Sequence, residues 1–172
     1  MEKDHVDEFV ALLGDWLPDL DLETEAAVER IQKISKRLQR EMDKTLAAYG
    51  LTKGEWQVLM SLRNAERRRA SPGALAALCE LSSGAMTNRI DRLEADGLVR
   101  RLPDPDDRRG VIVELTDDGR RKLDEATNAQ ARREASIASV LTEREKKQLN
   151  TLLRKLTLAF EQPKKKREAA SI

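Results

Sequence analysis

Residues 83–95 combine small hydrogen-bonding side chains with planar charged ones in the run SGAMTNRIDRLEA. An asparagine amide can pair with an adenine edge, and an arginine guanidinium can donate to guanine or to a phosphate. On a helix, at 100° per residue, Met86, Ile90 and Leu93 would share one buried face. The residues on the opposite face would be Gly84, Thr87, Asn88, Asp91 and Arg92.

A second group of charged residues lies in the segment PDPDDRRG, at positions 103–110. An arginine on a projecting loop can enter a narrow, electronegative minor groove. Asp107 stands two residues before Arg109 and could hold that guanidinium in a fixed orientation. The alternative, a solvated charged turn, becomes less favourable when the segment follows a helix of the kind just described.

The elements around these residues can be predicted from local signals. Thr52 and Glu55 form a capping box that begins a helix, and Ser71-Pro72 begins a short helix to Cys79. Ser82 caps a helix that ends near Gly97, and a turn at about Glu80–Ser82 separates the two. Leu98–Leu102 and Val111–Leu115 read as strands of a hairpin. This order predicts a winged helix-turn-helix.

Long amphipathic helices flank this motif. The apolar spacing predicts helices over about Glu2–Trp16 and Glu23–Tyr49, and caps at Thr116 and Thr142 begin two more that end near Val140 and Phe160. The predicted fold is therefore mainly α, with a small antiparallel β-wing and long N- and C-terminal helices. The predicted buried face of the second helix comprises Val28, Ile31, Ile34, Leu38, Met42 and Leu46.

The net charge is only +1, with 32 basic and 31 acidic residues, but the charges are unevenly distributed. Residues 1–29 carry ten acids and one base, so the remainder is clearly basic. Basic clusters beside a candidate DNA-reading motif favour a nucleic-acid partner over a merely solvated surface. These clusters are Arg63 with Arg67–Arg69, Arg100–Arg101, Arg108–Arg109 and Lys164–Arg167.

Several chemistries are disfavoured by what the sequence lacks. One Cys and one His allow no internal disulfide and no zinc site with four nitrogen or sulfur ligands. Cys79 lies at helical spacing from Leu75 and reads as a small buried side chain, and His5 reads as a surface residue. No nucleophile is paired with a base. We therefore expect no enzyme, no metal and no cofactor, and a cytoplasmic protein without a membrane span or secretory signal.

The stretch from about Leu51 to Gly119 resembles the MarR family of transcription regulators. The resemblance is carried by LTKGEWQVLMSLR, LSSGAMTNRIDRLEADGLVRR and PDPDDRRGVIVELTDDGR. It implies a homodimer that grips palindromic operator DNA. It also implies that Ser83, Thr87, Asn88 and Arg89 contact the major groove, that Arg109 enters the minor groove braced by Asp107, and that Arg108 lies along the phosphates.

The resemblance also divides the chain into regions. Residues 1–50 would serve dimerisation and a ligand crevice, residues 51–116 would form the DNA-binding lobe, residues 117–160 would complete the dimer, and residues 161–172 would be a disordered basic tail. The acidic N-terminal helix with Trp16 and PDLD is similar to a subgroup that answers urate or tricarboxylates. The effector would be a small anionic or aromatic molecule, with Trp16, Arg30, Arg37 and Arg40 as candidate contacts.

The expected function is that of a homodimeric, sequence-specific repressor that its ligand releases from DNA. The alternative is a winged helix used as a protein-interaction scaffold without specific DNA binding. A scaffold would more often expose apolar residues on the outward helix face, where this chain has small polar ones.

Overall fold

The computed structural model describes residues 3–105, 107 and 110–161. The predicted tail, apart from residue 161, and the wing residues Arg108 and Arg109 lie outside this described part of the chain. Two compact units divide near the middle of a long helix: residues 1–130 form the first and residues 131–172 the second.

The first unit begins with two helices, α1 (His5–Trp16) and α2 (Leu22–Ala47). Asp4 caps α1 and forms a capping box with Asp7, so the helix begins three residues later than the sequence predicted. Val6 and Val10 of α1 are buried against Ala26 of α2, in a small core separate from the main one.

The winged helix-turn-helix follows, in the predicted order. It comprises α3 (Lys53–Asn64), a 3-10 turn (Glu66–Arg68), β1 (Arg69–Ala70), α4 (Pro72–Leu78), α5 (Ser83–Ala95), β2 (Val99–Pro103) and β3 (Val111–Leu115). The strands form an antiparallel sheet in the order β1-β3-β2, in which Val99 lies opposite Leu115 and Pro103 opposite Val111. The two-residue strand β1 was not predicted, because two residues carry no period that a sequence pattern can detect.

One hydrophobic core holds this lobe together. Met86, Ile90 and Leu93 of α5 are buried, as predicted, and pack with Leu59 of α3 and Val113 of β3. Gly97 ends α5 with a φ of +70°, a conformation that costs glycine little. Cys79 is half-buried and packs against the same core, and His5 is exposed.

Two further helices follow among the described residues, α6 (Asp117–Ala138) and α7 (Glu143–Glu161). The predicted caps are present: Thr116 Oγ1 accepts from the Gly119 amide at 3.0 Å, and Thr142 forms a capping box with Glu145. Within the described residues, no helix is both long and apolar enough to cross a membrane.

The predicted buried face of α2 is wrong over most of its length. Leu46 is buried and Met42 packs against the core, but Val28, Ile31, Ile34 and Leu38 are between 39% and 55% exposed. The stripe exists, as its spacing indicated, but no element among the described residues covers it. A similar apolar stripe on α7 is exposed: Leu149, Leu152, Leu153, Leu156 and Phe160.

Candidate nucleic-acid interface

The outward face of α5 is small, polar and accessible. Ser82 caps the helix by accepting from the Ala85 amide at 3.3 Å, and Ser83, Thr87 and Asn88 are all exposed. The Thr87 hydroxyl donates to the Ser83 carbonyl at 2.9 Å, which holds its side chain close to the helix. A Cβ added at Gly84 would meet no atom within 4 Å. The surface can therefore approach a nucleic-acid groove closely, with Asn88 as its most prominent hydrogen-bonding group.

The two arginines of α5 point in different directions. Arg92 is exposed, and its guanidinium lies 4.0 Å from the Glu55 carboxylate of α3. Arg89 is half-buried and lies over the first turn of α3, where a Cβ added at Gly54 would come within 2.4 Å of its Cζ atom. Of the four residues predicted to meet the major groove, Ser83, Thr87 and Asn88 share one exposed surface, and Arg89 is folded back against α3.

The described residues include the base of the wing but not Arg108 and Arg109. The Asp104 amide donates to the Gly110 carbonyl at 3.1 Å, and the Gly110 amide donates to the Asp107 carbonyl at 2.8 Å, which closes the loop. Asp107 is exposed, and its role in bracing Arg109 stays a prediction. The roles of Arg108 and Arg109 stay predictions from the sequence.

Arg101 connects β2, the first strand of the wing, to α5. Its backbone amide donates to the Glu94 carboxylate at 2.8 Å, and its guanidinium contacts both Glu94 and Asp91, the latter at 2.5 Å. A guanidinium that makes charge-assisted hydrogen bonds to two carboxylates is held in a defined geometry. Arg101 thus fixes β2 against α5. The sequence placed it in a basic cluster, with no sign of this pairing.

Four other arginines of the lobe are also paired with acids. Arg69 and Arg100 contact the half-buried Glu114 of β3 from either side. Their hydrogen bonds lower the pKa of Glu114, and the one from Arg100 has the larger effect. Arg63 pairs with Asp124 at 2.7 Å, and Arg68 with Asp117 at 3.2 Å. The clusters around Arg63–Arg69 and Arg100–Arg101 are therefore mostly internal ion pairs and not an open basic patch.

The lobe is attached to the first half of α6 by contacts that the sequence did not reveal. The Trp56 indole Nε1 donates to Thr127 Oγ1 at 3.1 Å, and Arg63 pairs with Asp124 one turn earlier on α6. Gly119 packs so closely that a Cβ there would lie 2.0 Å from the Leu98 carbonyl oxygen. These contacts fix the orientation of the lobe relative to this part of α6.

The four candidate ligand contacts are not brought together in a single chain. Arg30 forms hydrogen bonds to both Asp4 and Asp7, at 3.0 Å and 2.6 Å, beside the first turn of α1. Trp16 ends the same helix, nine residues after Asp7 and therefore about 14 Å further along at 1.5 Å per residue, and is 78% exposed. Arg37 and Arg40 are exposed on α2.

Comparisons with known proteins agree with this architecture. A sequence model of the MarR family matches residues 49–110. The transcriptional regulator PecS of Dickeya dadantii is 33% identical over 137 residues, covering 79% of this chain and 82% of PecS. The transcriptional repressor MdtR of Bacillus subtilis is 31% identical over 135 residues, covering 78% of this chain and 86% of MdtR.

Solved structures agree as well. A serine-for-cysteine mutant of MarR from E. coli, in complex with operator DNA, superposes with a TM-score of 0.62 at 29% identity, covering 80% of this chain and 98% of that one. This chain belongs to the MarR family of winged-helix transcriptional regulators, which confirms the resemblance found in the sequence. The narrower resemblance to a urate- or tricarboxylate-responsive subgroup stays a prediction.

Proposed function

We propose that the protein is a homodimeric repressor that binds palindromic operator DNA and is released by a small-molecule effector. The observation that carries the DNA-binding part is the exposed surface of Ser83, Gly84, Thr87 and Asn88, on a helix whose other face is buried in the core. The operator complex of MarR and the repressor MdtR support the same interpretation.

Dimerisation is supported by apolar surface that a single chain leaves exposed. On α1, Phe9 and Leu12 are 42% and 60% exposed, and the stripes on α2 and α7 are similar. Contiguous apolar surface of this kind is typical of an interface. In this proposal residues 1–50 and 117–160 supply the dimer, and residues 51–116 supply the DNA-binding lobe.

The exposed arginines of α2 and the exposed Trp16 bear on the class of effector. An anion would be drawn to Arg37 and Arg40, which are exposed on α2, more than to Arg30, whose charge is matched by Asp4 and Asp7. Trp16 is exposed enough to stack on an aromatic group. In the single chain these residues do not share one site, so an effector using them would have to bind where two copies meet.

The proposal is tested by asking whether the protein selects a DNA sequence. A random duplex library should yield a palindromic site, and fluorescence anisotropy should give its affinity across a salt series. Asn88→Ala should weaken binding to this site by about 1–3 kcal/mol and relax its preference at one base pair. The matched control is Asn128→Ala, at an exposed asparagine of α6 outside the lobe.

The wing can be tested in the same assay. Arg109→Ala should weaken binding to the selected site by about 1–3 kcal/mol, with loss of preference at A/T-rich positions. Arg108→Ala should weaken binding to all DNA sequences alike, and should reduce the slope of log affinity against log salt concentration by roughly one. If the library yields no preferred sequence and binding occurs only at low salt, the interaction scaffold becomes the better interpretation.

A further inference from the structure

An open cleft lies between α3 and the end of α4, on a part of the lobe that the proposed DNA contacts do not use. Its volume is about 520 Å³, which is within the range of small-molecule sites. Trp56, Met60 and Leu78 supply its apolar surface, and Gln57 supplies an amide. None of the four candidate ligand residues lines this cleft.

The apolar surface of the cleft suits a flat aromatic group. The Trp56 indole is held in place by its hydrogen bond to Thr127, so little side-chain entropy remains to be lost on binding. Leu78 is 67% exposed, an unusual exposure for a leucine beside a core. A planar ring that lies between the two would remove apolar surface from water and stack on the indole.

The charge in the cleft favours a cation. Glu80 is the charged residue that lines it, and no lysine or arginine of the described chain does so. Glu80 also makes no ion pair with any described residue, in contrast to Glu94 and Glu114, which each hold an arginine. A positively charged ligand would meet a carboxylate and the electron-rich face of an indole, and an anion would be repelled.

The cleft is also coupled directly to the DNA-reading helix. Leu78 is the last residue of α4, Cys79 is its C-cap, and Glu80 follows in the connection to α5 with a φ of +53°. The Leu81 amide donates to the Ala76 carbonyl at 2.9 Å and keeps this connection tight. A ligand that touches Leu78 and Glu80 therefore touches the turn that orients α5, three residues before Ser83.

We propose that this cleft is an effector site for aromatic cations, and that its occupancy shifts the turn between α4 and α5 and lowers operator affinity. This proposal rests on the proposed function, which it deepens by naming the effector class and the site. It keeps the aromatic character of the effector expected from the sequence and replaces the anionic charge by a cationic one.

The binding arm uses three probes of one shape and different charge: 2-naphthylmethylammonium, 2-naphthalenemethanol and 2-naphthoate. Titration is followed by calorimetry and by fluorescence of Trp56 in a Trp16→Phe background, since the chain has two tryptophans. The cation should bind most tightly, the alcohol about threefold to fivefold more weakly, and the anion more weakly still. Naphthoate binding as tightly as the cation would overturn the proposal.

Two variants locate the site. Glu80→Gln should lower the affinity for the cation about threefold to fivefold and leave the affinity for the alcohol unchanged, because only the charge pair is removed. Leu78→Ala should lower the affinity for all three probes. The control is Glu125→Gln, at an exposed glutamate of α6, which should change none of them. Unchanged affinity of the cation for both Glu80→Gln and Leu78→Ala would place its site elsewhere and refute the proposal.

The regulatory arm measures operator anisotropy with and without the cation, with the labelled duplex alone as the control for direct DNA binding. The cation should lower operator affinity at least fivefold in the wild type and clearly less in Glu80→Gln. A cation that binds without changing operator affinity would refute the effector role. These failures are distinct from failure of the proposed function, in which the protein without any probe would select no DNA sequence.

Discussion

The charge of Arg101 is used inside the protein, in contacts with two acids of α5. Its guanidinium and backbone amide join β2 to Asp91 and Glu94 of α5. If α5 and the wing reach two grooves at once, as proposed, they must hold a fixed separation, and the contacts of Arg101 join them directly. We therefore propose that Arg101 is a positioning residue, which acts through α5 and the wing without a contact of its own to DNA.

We expect Arg101→Gln to weaken operator binding about tenfold while lowering the free energy of unfolding by only about 1 kcal/mol, because the pair is partly exposed. Urea denaturation and anisotropy measure the two effects separately. The control is Arg100→Gln, since Arg69 would still neutralise Glu114 in that variant. Equal losses of operator affinity in both variants would show that Arg101 contributes only its charge.

Gly119 allows a close approach between α6 and the lobe. A Cβ at this position would lie 2.0 Å from the Leu98 carbonyl oxygen, and a backbone atom cannot move aside as a flexible side chain can. We expect Gly119→Ala to lower the free energy of unfolding by about 3 kcal/mol. Gly73→Ala on α4, where nothing lies within 4 Å, should be neutral or slightly stabilising. Equal stability of the two variants, measured by urea denaturation, would contradict the close contact.

At the scale of elements, α1 is fastened to α2 by charge as well as by a small core. The hydrogen bond from Arg30 is the main reason that the pKa of Asp4 falls from 3.8 to about 2, and the backbone amides of Val6 and Asp7 lower it further. The pKa of Asp7 is also lowered, by the Asp4 amide and then by Arg30. The carboxylates therefore favour the docked helix only while they are ionised.

A carboxyl whose pKa is lower in the folded state stabilises that state above its unfolded pKa, and the stabilisation is lost as the pH falls toward the folded pKa. We expect the docking of α1 to weaken between about pH 4 and pH 2, the interval between the two values for Asp4. NMR titration of the Asp4 carboxyl would measure this directly. In Arg30→Gln the midpoint should move up toward 3.8, and an unchanged midpoint would mean that the caps alone lower it.

At the scale of the whole molecule, the exposed stripes predict that the working unit is larger than one chain. Leu152 and Leu156 of α7 are 53% and 49% exposed on one helix face. We expect Leu152→Glu to convert a stable dimer into a monomer, because a charge would be buried in an apolar interface. Sedimentation at micromolar concentration should show the change, together with loss of operator binding, since two half-sites could no longer be held by one particle.

Thr151→Glu is the matched control for this prediction. Thr151 is exposed on the opposite face of α7, and its hydroxyl is satisfied within the helix by the Lys147 carbonyl at 2.9 Å. Its substitution should leave the dimer intact. A wild-type protein that sediments as a stable monomer would contradict the dimer itself.

The sequence by itself determined the α-helices, the two strands of the wing and their order. Caps at Thr52, Ser82, Thr116 and Thr142, the stop at Gly97 and the spacing of Met86, Ile90 and Leu93 all act within about one helical turn. Interactions of that range can be read from neighbouring residues, so the winged helix-turn-helix and its exposed small face were predicted correctly. The family resemblance was carried by the residues from about Leu51 to Gly119.

Only the tertiary structure decided which charges are engaged and which apolar faces are covered. Arg69 and Glu114 are 45 residues apart in sequence, and Arg63 and Asp124 are more distant still. The sequence does not show whether an arginine binds a phosphate or pairs with a carboxylate that is distant along the chain. The α2 stripe likewise has helical spacing whether or not another element covers it. Charge pairing and burial depend on contacts between elements that are distant in sequence. The local periodicity of apolar residues does not show which elements make those contacts.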